Sequence, residues 1–189
     1  AREPSFKVKI NTVVSVDTSG IQYRMGTSGR WNTFNTNGEM TVQNAGGAIQ
    51  FRNTNNKLST APTSHVFFAF SGTSGGLVEA HGDISSMLNY STECYDYCFY
   101  NLFKNCSGLT IAPELPAEKL GRYCYSNMFY RCTNLTTPPK LPATVLAESC
   151  YSQMFSNCHS LTTAPELPAT VLAENCYYEM FADDNLTTA

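Results

Sequence analysis

Charge is scarce in this sequence. Only 14% of its 189 residues are Asp, Glu, Lys or Arg, and the formal net charge is −3. A weak, negative balance excludes the basic footprint of a protein that tracks nucleic acid or an anionic membrane surface. Long apolar runs are missing too: nothing approaches the ~18 consecutive apolar residues of a membrane-spanning helix, so no membrane insertion is expected. Histidine is limited to His65, His81 and His159, none of them in a nucleophile–base motif. Neither G-x-x-x-x-G-K-[ST] nor G-x-G-x-x-G occurs, which removes the common phosphate-cradling loops. Glu93, Asp96, Asp183 and Asp184 read as solvated carboxylates. The expectation is a protein that is not an enzyme and takes no cofactor.

Cysteine is absent from the first 93 residues and then abundant. Cys98, Cys124, Cys150 and Cys176 are 26 residues apart, as are Cys106, Cys132 and Cys158, and Leu109, Leu135 and Leu161. Leu115-Pro116, Leu141-Pro142 and Leu167-Pro168 keep the same step. The unit is C-Y-x-x-M-F-x-x-C-x-x-L-T-x-x-P-x-L-P-A-x-x-L-A-x-x. A fixed period of this length marks an array in which each repeat is one supersecondary unit stacked on the next. Leu120, Cys124, Met128 and Phe129 fall at i, i+4, i+8 and i+9, which predicts one helical face. Pro116 and Pro142 precede these runs and none interrupts them. After Cys132 comes Leu135-Thr136-Thr137-Pro138-Pro139, which predicts a short strand ending at a proline corner. Each unit is thus expected to hold a helix, a turn and a short strand.

The cysteines admit three readings. Zinc calls for C-x-x-C pairs or neighbouring histidines, and the gaps here do not supply them, so no metal site is expected. Eight cysteines also fit an extracellular disulfide framework. Pairing within each repeat would give bridges 98–106, 124–132 and 150–158. It would strand Cys94 and Cys176 at opposite ends of the stack, where three rungs of roughly 4.8 Å exceed the ~7 Å Cα limit for a bridge. Asp184 stands where a partner for Cys176 belongs. The preferred reading is a structural ladder of buried thiols, Cys98, Cys124, Cys150 and Cys176 in one column and Cys106, Cys132 and Cys158 in the other, each acting as a small hydrophobe and weak donor; intrarepeat bridges remain the alternative.

F-x-x-C-x-x-L-T followed by P-x-L-P-A resembles the leucine-rich repeats of BspA-type bacterial surface proteins. The longer unit is similar to repeats in surface proteins of gut Bacteroidales, and in tail proteins of their phages, over about Tyr97 to Ala189. The resemblance implies a curved, right-handed leucine-rich-repeat-like solenoid with a parallel sheet on one face. Exposed strand positions would be Thr110, Thr136 and Thr162, with Ile111, Thr137 and Thr163 beside them and Glu114, Lys140 and Glu166 at the corner. That ladder is the first candidate for a partner surface, although repeated threonines also simply suit strand surfaces.

Residues 1–85 are rich in Gly, Ser, Thr and Asn. Phe6–Ile10, Val13–Val16, Ile21–Met25, Ala48–Arg52 and His65–Phe70 read as strands. Thr18-Ser19-Gly20, Thr27-Ser28-Gly29, Asn37-Gly38 and Gly46-Gly47 read as turns between them. About seven short strands at this spacing suit an antiparallel β-sandwich, and this stretch loosely resembles the module preceding such repeats in the same surface proteins. Trp31, the single tryptophan, lies by a glycine-rich turn with Arg24 and Arg30 nearby. Exposed, it would stack on a sugar ring; the expectation preferred is packing in the sandwich core.

The expected organisation is therefore α+β: a β-sandwich over 1–85, a connecting and capping segment over 86–97 in which Met87 and Leu88 plug the first rung, and a solenoid over 98–189 with repeats starting at 98, 124, 150 and 176. A first residue other than Met implies a processed or trimmed chain. Ending inside a further "LTTAPELPA" implies either a fragment or a last rung covered by another molecule, since a bare rung invites self-association. Three functions fit: an extracellular adhesion module on a bacterial cell surface, binding a host or bacterial surface protein or glycan; a structural subunit of a phage tail or surface filament, placing the chain in a virion; or a carbohydrate-binding module.

Overall fold

The computed structural model describes residues 5–12, 20–34, 39–43, 48–54, 59–61, 64–72 and 79–188, with 5–12, 39–43, 59–61 and 64–72 described by backbone path alone. Val13–Val16, Thr18-Ser19, Asn37-Gly38 and Gly46-Gly47 lie outside the described residues. β1 (Ser5–Thr12) pairs antiparallel with both β4 (Glu39–Gln43) and β7 (Ser64–Gly72), and β6 (Ser59–Ala61) adds to β7, in the order β4-β1-β7-β6. A second antiparallel sheet runs β3-β2-β5, from β3 (Asn32–Thr33), β2 (Ile21–Met25) and β5 (Ile49–Asn53). The face-to-face packing of a sandwich would involve the side chains of the first sheet, which lie outside the described residues.

In the three-stranded sheet the period-2 pattern sets which face is inward. Ile21 and Tyr23 on β2 oppose Asn53 and Phe51 on β5, and this face packs on Phe34, whose ring lies 5.9 Å from Tyr23 and 5.8 Å from Phe51. Next to β5 lies a 3₁₀ turn, η1 (Ile84–Leu88), started by Asp83, whose carboxylate accepts the Ser85 N–H at 2.7 Å, and stopped by Asn89 in the left-handed region. Ile84, Met87 and Leu88 are buried in the same core as the repeats. The segment before η1 is hydrogen-bonded to the first repeat through Ile84 N–H to Glu114 O at 3.1 Å and Glu114 N–H to Gly82 O at 2.9 Å.

From Cys94 onward each 26-residue unit makes one rung. The expected α+β leucine-rich-repeat-like solenoid with a helix in each unit is overturned: among the described residues there is no α-helix, and η1 is the only helical turn. The segments read as helices are runs of successive β-turns. In the first rung, Cys98, Tyr100, Leu102, Lys104 and Cys106 donate their N–H to the carbonyl three residues back, at 3.0–3.3 Å. The alternate residues Tyr97, Phe99, Asn101, Phe103 and Asn105 donate instead to Arg122, Cys124, Ser126, Met128 and Tyr130 of the next rung, at 2.8–3.1 Å. Half of the amides are thus committed across rungs, and no i→i−4 ladder can form.

The turns require every fourth residue to adopt positive φ: 97, 101 and 105, then 123, 127 and 131, then 149, 153 and 157. This is the third position of a type II-like turn, costly for most side chains and least so for Asn. Asn101, Asn105, Asn127, Asn157 and Asn175 occupy it. A four-residue turn also buries adjacent pairs: Cys124 with Tyr125, then Met128 with Phe129, then Cys132. The short strands shrink to isolated parallel bridges such as Ile111↔Thr137 and Thr163↔Thr188, with one two-residue pair, β8 (Glu93–Cys94) and β9 (Lys119–Leu120). Leu120, expected on the helical face, is half-buried in β9.

Stacking supplies the core. Phe103, Phe129, Phe155 and Phe181 form one column and Phe99, Tyr125, Tyr151 and Tyr177 another, with successive centroids 5.6–5.9 Å apart and planes within 10° of parallel. Leu141 is 3% exposed and its counterpart in the unit starting at 150, Leu167, 40%. The two differ in having a rung above them, so burial here is between neighbours and not within a unit.

Candidate functional site

Three surfaces carry exposed or reactive groups. The first is the outer side of the rungs. Ile111, Thr136, Thr137, Thr162 and Thr163 are exposed, Thr110 is half-buried, and Glu114, Lys140 and Glu166 are exposed at the corner. Parallel bridges bring Ile111 beside Thr137, and Thr163 beside Thr188, where one Thr hydroxyl meets the other at 3.2 Å. The buried leucines Leu109, Leu135 and Leu161 fix this register, because each precedes the exposed residues at the same distance in every rung.

The second is the cysteine ladder. None of the eight cysteines is joined in a disulfide, and all are buried. Cys132 Sγ donates to Phe103 O at 3.2 Å and Cys158 Sγ to Phe129 O at 3.1 Å, so this column ties each rung to the one before it. At the corresponding place Asp184 accepts the Cys158 N–H at 2.7 Å, with its carboxyl pushed up to about 6 by burial. The other column starts in a cluster, with Cys94 Sγ donating to Tyr125 Oη at 3.2 Å beside Cys98 and Cys124. Burial raises the Cys98 and Cys124 thiols well above the ordinary range, and takes Cys106, Cys150 and Cys158 to about 12. Among the described residues no group of three or more His, Cys, Asp or Glu is placed to hold a metal.

A chemical consequence is direct. Alkylation needs an accessible thiolate and every cysteine is buried, Cys94 included although its neighbours' hydrogen bonds lower its pKa, so at pH 8 the native protein is expected to resist iodoacetamide over minutes. The protein unfolded in guanidinium without reductant should take up eight labels, counted by intact mass. A lower count would mean that disulfides, and not thiols, hold the rungs.

The third surface is the outward face of the three-stranded sheet, and it corrects an expectation. Trp31 is not in the sandwich core; it is half-buried at the surface. It precedes β3, whose register with β2 (Tyr23↔Asn32) puts it opposite Arg24. Its indole sits 4.7 Å from the Arg24 guanidinium and 4.3 Å from that of Arg52. Each arginine is held by a glutamine on the facing strand: Arg24 Nε donates to Gln50 Oε1 at 2.7 Å, and Arg52 Nε to Gln22 Oε1 at 2.8 Å. Sequence reasoning missed Arg52, Gln22 and Gln50. The signal was that β2 reads Ile-Gln-Tyr-Arg and β5 Ile-Gln-Phe-Arg, so antiparallel pairing centred on Tyr23↔Phe51 makes the two Gln–Arg pairs equivalent. Among the described residues no carboxylate pairs with Arg24 or Arg52. Two ion pairs join the first rungs: Lys119 with Glu93 at 2.6 Å and Arg122 with Asp96 at 2.9 Å.

No protein family, curated protein or solved structure matches the chain.

Proposed function

We propose that this chain is a non-enzymatic extracellular binding or adhesion module that presents the outer side of its rungs to a protein or glycan partner. The observation that supports this reading is the exposed series Ile111, Thr136, Thr137, Thr162 and Thr163, standing at constant register over a fully buried leucine column. Such a surface offers hydroxyls and methyls at the rung spacing, with no long side chains to immobilise on contact, which lowers the entropic cost of association. The likeness of the repeat unit to BspA-type surface proteins points the same way.

The reading is tested by retention on immobilised mucin-type glycans and extracellular-matrix proteins. The unsubstituted chain should be retained on at least one of them, and Thr137→Arg/Thr163→Arg should lose at least ten-fold in affinity at unchanged melting temperature. Equal retention of the variant would remove this face as the contact. No retention of the unsubstituted chain on any surface would remove the adhesion reading.

A further inference from the structure

The indole–guanidinium face of the three-stranded sheet is separate from the rung surface, and it has the chemistry of a ligand site in its own right. Two arginines stand at diagonal positions of adjacent strands, on the same side, over one tryptophan. Like charges placed this way repel, and among the described residues no carboxylate offsets them. The arrangement is the more unusual in a chain whose net charge is −3. Cation–π contact with the indole recovers part of that cost, but supplies no hydrogen-bond acceptor.

The glutamines show how the arginines are oriented. Each takes up an Nε–H, and among the described residues the Nη groups of its arginine make no further hydrogen bond within the sheet. A guanidinium held at Nε keeps its plane fixed and presents a donor fork, the geometry that receives a carboxylate or a sulfate in two parallel hydrogen bonds. A pyranose would meet the indole on ring surface that the guanidinia leave uncovered, and the glutamine side chains carry N–H donors for its hydroxyls. The local two-fold relation between the Gln22–Arg52 and Arg24–Gln50 pairs repeats the fork, so a ligand carrying acid groups on successive units meets two of them. We infer that Trp31, Arg24, Arg52, Gln22 and Gln50 form a binding site for an acidic saccharide, one bearing carboxylate or sulfate groups.

Because Trp31 is the single tryptophan among 11 tyrosines, emission excited to the red of tyrosine absorption reports on this site alone. Titration with a heparin-derived tetrasaccharide and with tetragalacturonate is expected to give a saturable change in emission, from one or both, that weakens as salt is raised. Neutral cellotetraose should give none. Arg24→Gln/Arg52→Gln should lower the affinity at least ten-fold, and Arg24→Lys/Arg52→Lys, which keeps the charge but not the fork, should lower it several-fold. Circular dichroism melts of each variant establish that the fold is retained, and if the glutamine variant unfolds the lysine variant carries the comparison. Three outcomes would overturn the inference: no saturable change with either acidic oligosaccharide, equal affinity for cellotetraose, or equal affinity for a short oligothymidylate, which would make the site a general polyanion surface. Loss of binding here with Thr137→Arg/Thr163→Arg retention unaffected, or the reverse, separates this site from the rung surface.

Discussion

Phe129→Ala is expected to lower the stability of the fold by about 3–5 kcal/mol, the largest single-site loss this structure implies. Phe129 has no exposed surface and sits between two parallel rings, Phe103 at 5.6 Å and Phe155 at 5.6 Å. Truncation removes the transfer energy of the ring, leaves a cavity in a close-packed column, and takes away a stacking partner on each side. With a total stability of ~5–15 kcal/mol typical of domains, this loss would take much of the fold away. Phe181→Ala supplies the internal comparison. Phe181 holds the equivalent place in the last rung but is only half-buried and stacks on one side, so it should cost less. Equal losses in urea denaturation would mean that the column does not transmit stability from rung to rung.

The second large effect runs against the repeat. Ala147 and Ala173 stand 26 and 52 residues beyond Gly121, so consensus logic would write alanine at 121. The backbone refuses it. A Cβ on Gly121 would overlap Asp96 N and Tyr95 C and lie 2.9 Å from Asp96 Oδ1. The first two rungs are drawn together here by Asp96, which accepts the Arg122 N–H at 2.8 Å and two Arg122 guanidinium donors at 2.9 and 3.0 Å. Gly121→Ala is therefore expected to cost about 1–3 kcal/mol or more, as overpacking against rigid backbone does, lowering the melting temperature by roughly 2–4 °C per kcal/mol for a chain of this size. Ala147→Gly, by contrast, should lose only about 0.4–1 kcal/mol through the unfolded chain. A Gly121→Ala protein that melts at or above the parent would overturn the close approach.

How far the sequence reveals this fold depends on which interaction each residue answers to. The period, the buried leucines and the thiol columns were legible because each is a side-chain preference repeated at a fixed step. The turn runs were not, because spacing of i, i+4, i+8 is shared by a helical face and by a run of four-residue turns. What separates them is the fate of the backbone amides, and every second one goes to another rung. Two weaker signals did exist: Asn at 101, 105, 127, 157 and 175, and the adjacent buried pairs Cys124-Tyr125 and Met128-Phe129, which a 3.6-residue helix would not place in stacked columns. On the candidate sites, the positions of the threonines came from the resemblance of the repeat unit; Thr136, Thr137, Thr162 and Thr163 are exposed, while Thr110 is half-buried. The setting of Trp31 was not, because it depends on the register between β2 and β5, which brings Arg52 from 21 residues away in the chain to the indole.

The alternation of amides also gives the array a mechanical character. Bonds made between rungs resist separation of neighbours, while those made inside a rung are spared until that rung has left the stack. A molecule tethered at both ends and drawn out along the array would therefore yield in discrete events. Each would release the 26 residues of one unit, or about 86–94 Å of fully extended chain, leaving the rungs behind it to bear load. Anchored between two surfaces, such a chain would lengthen in steps under load and would not hold as a rigid strut.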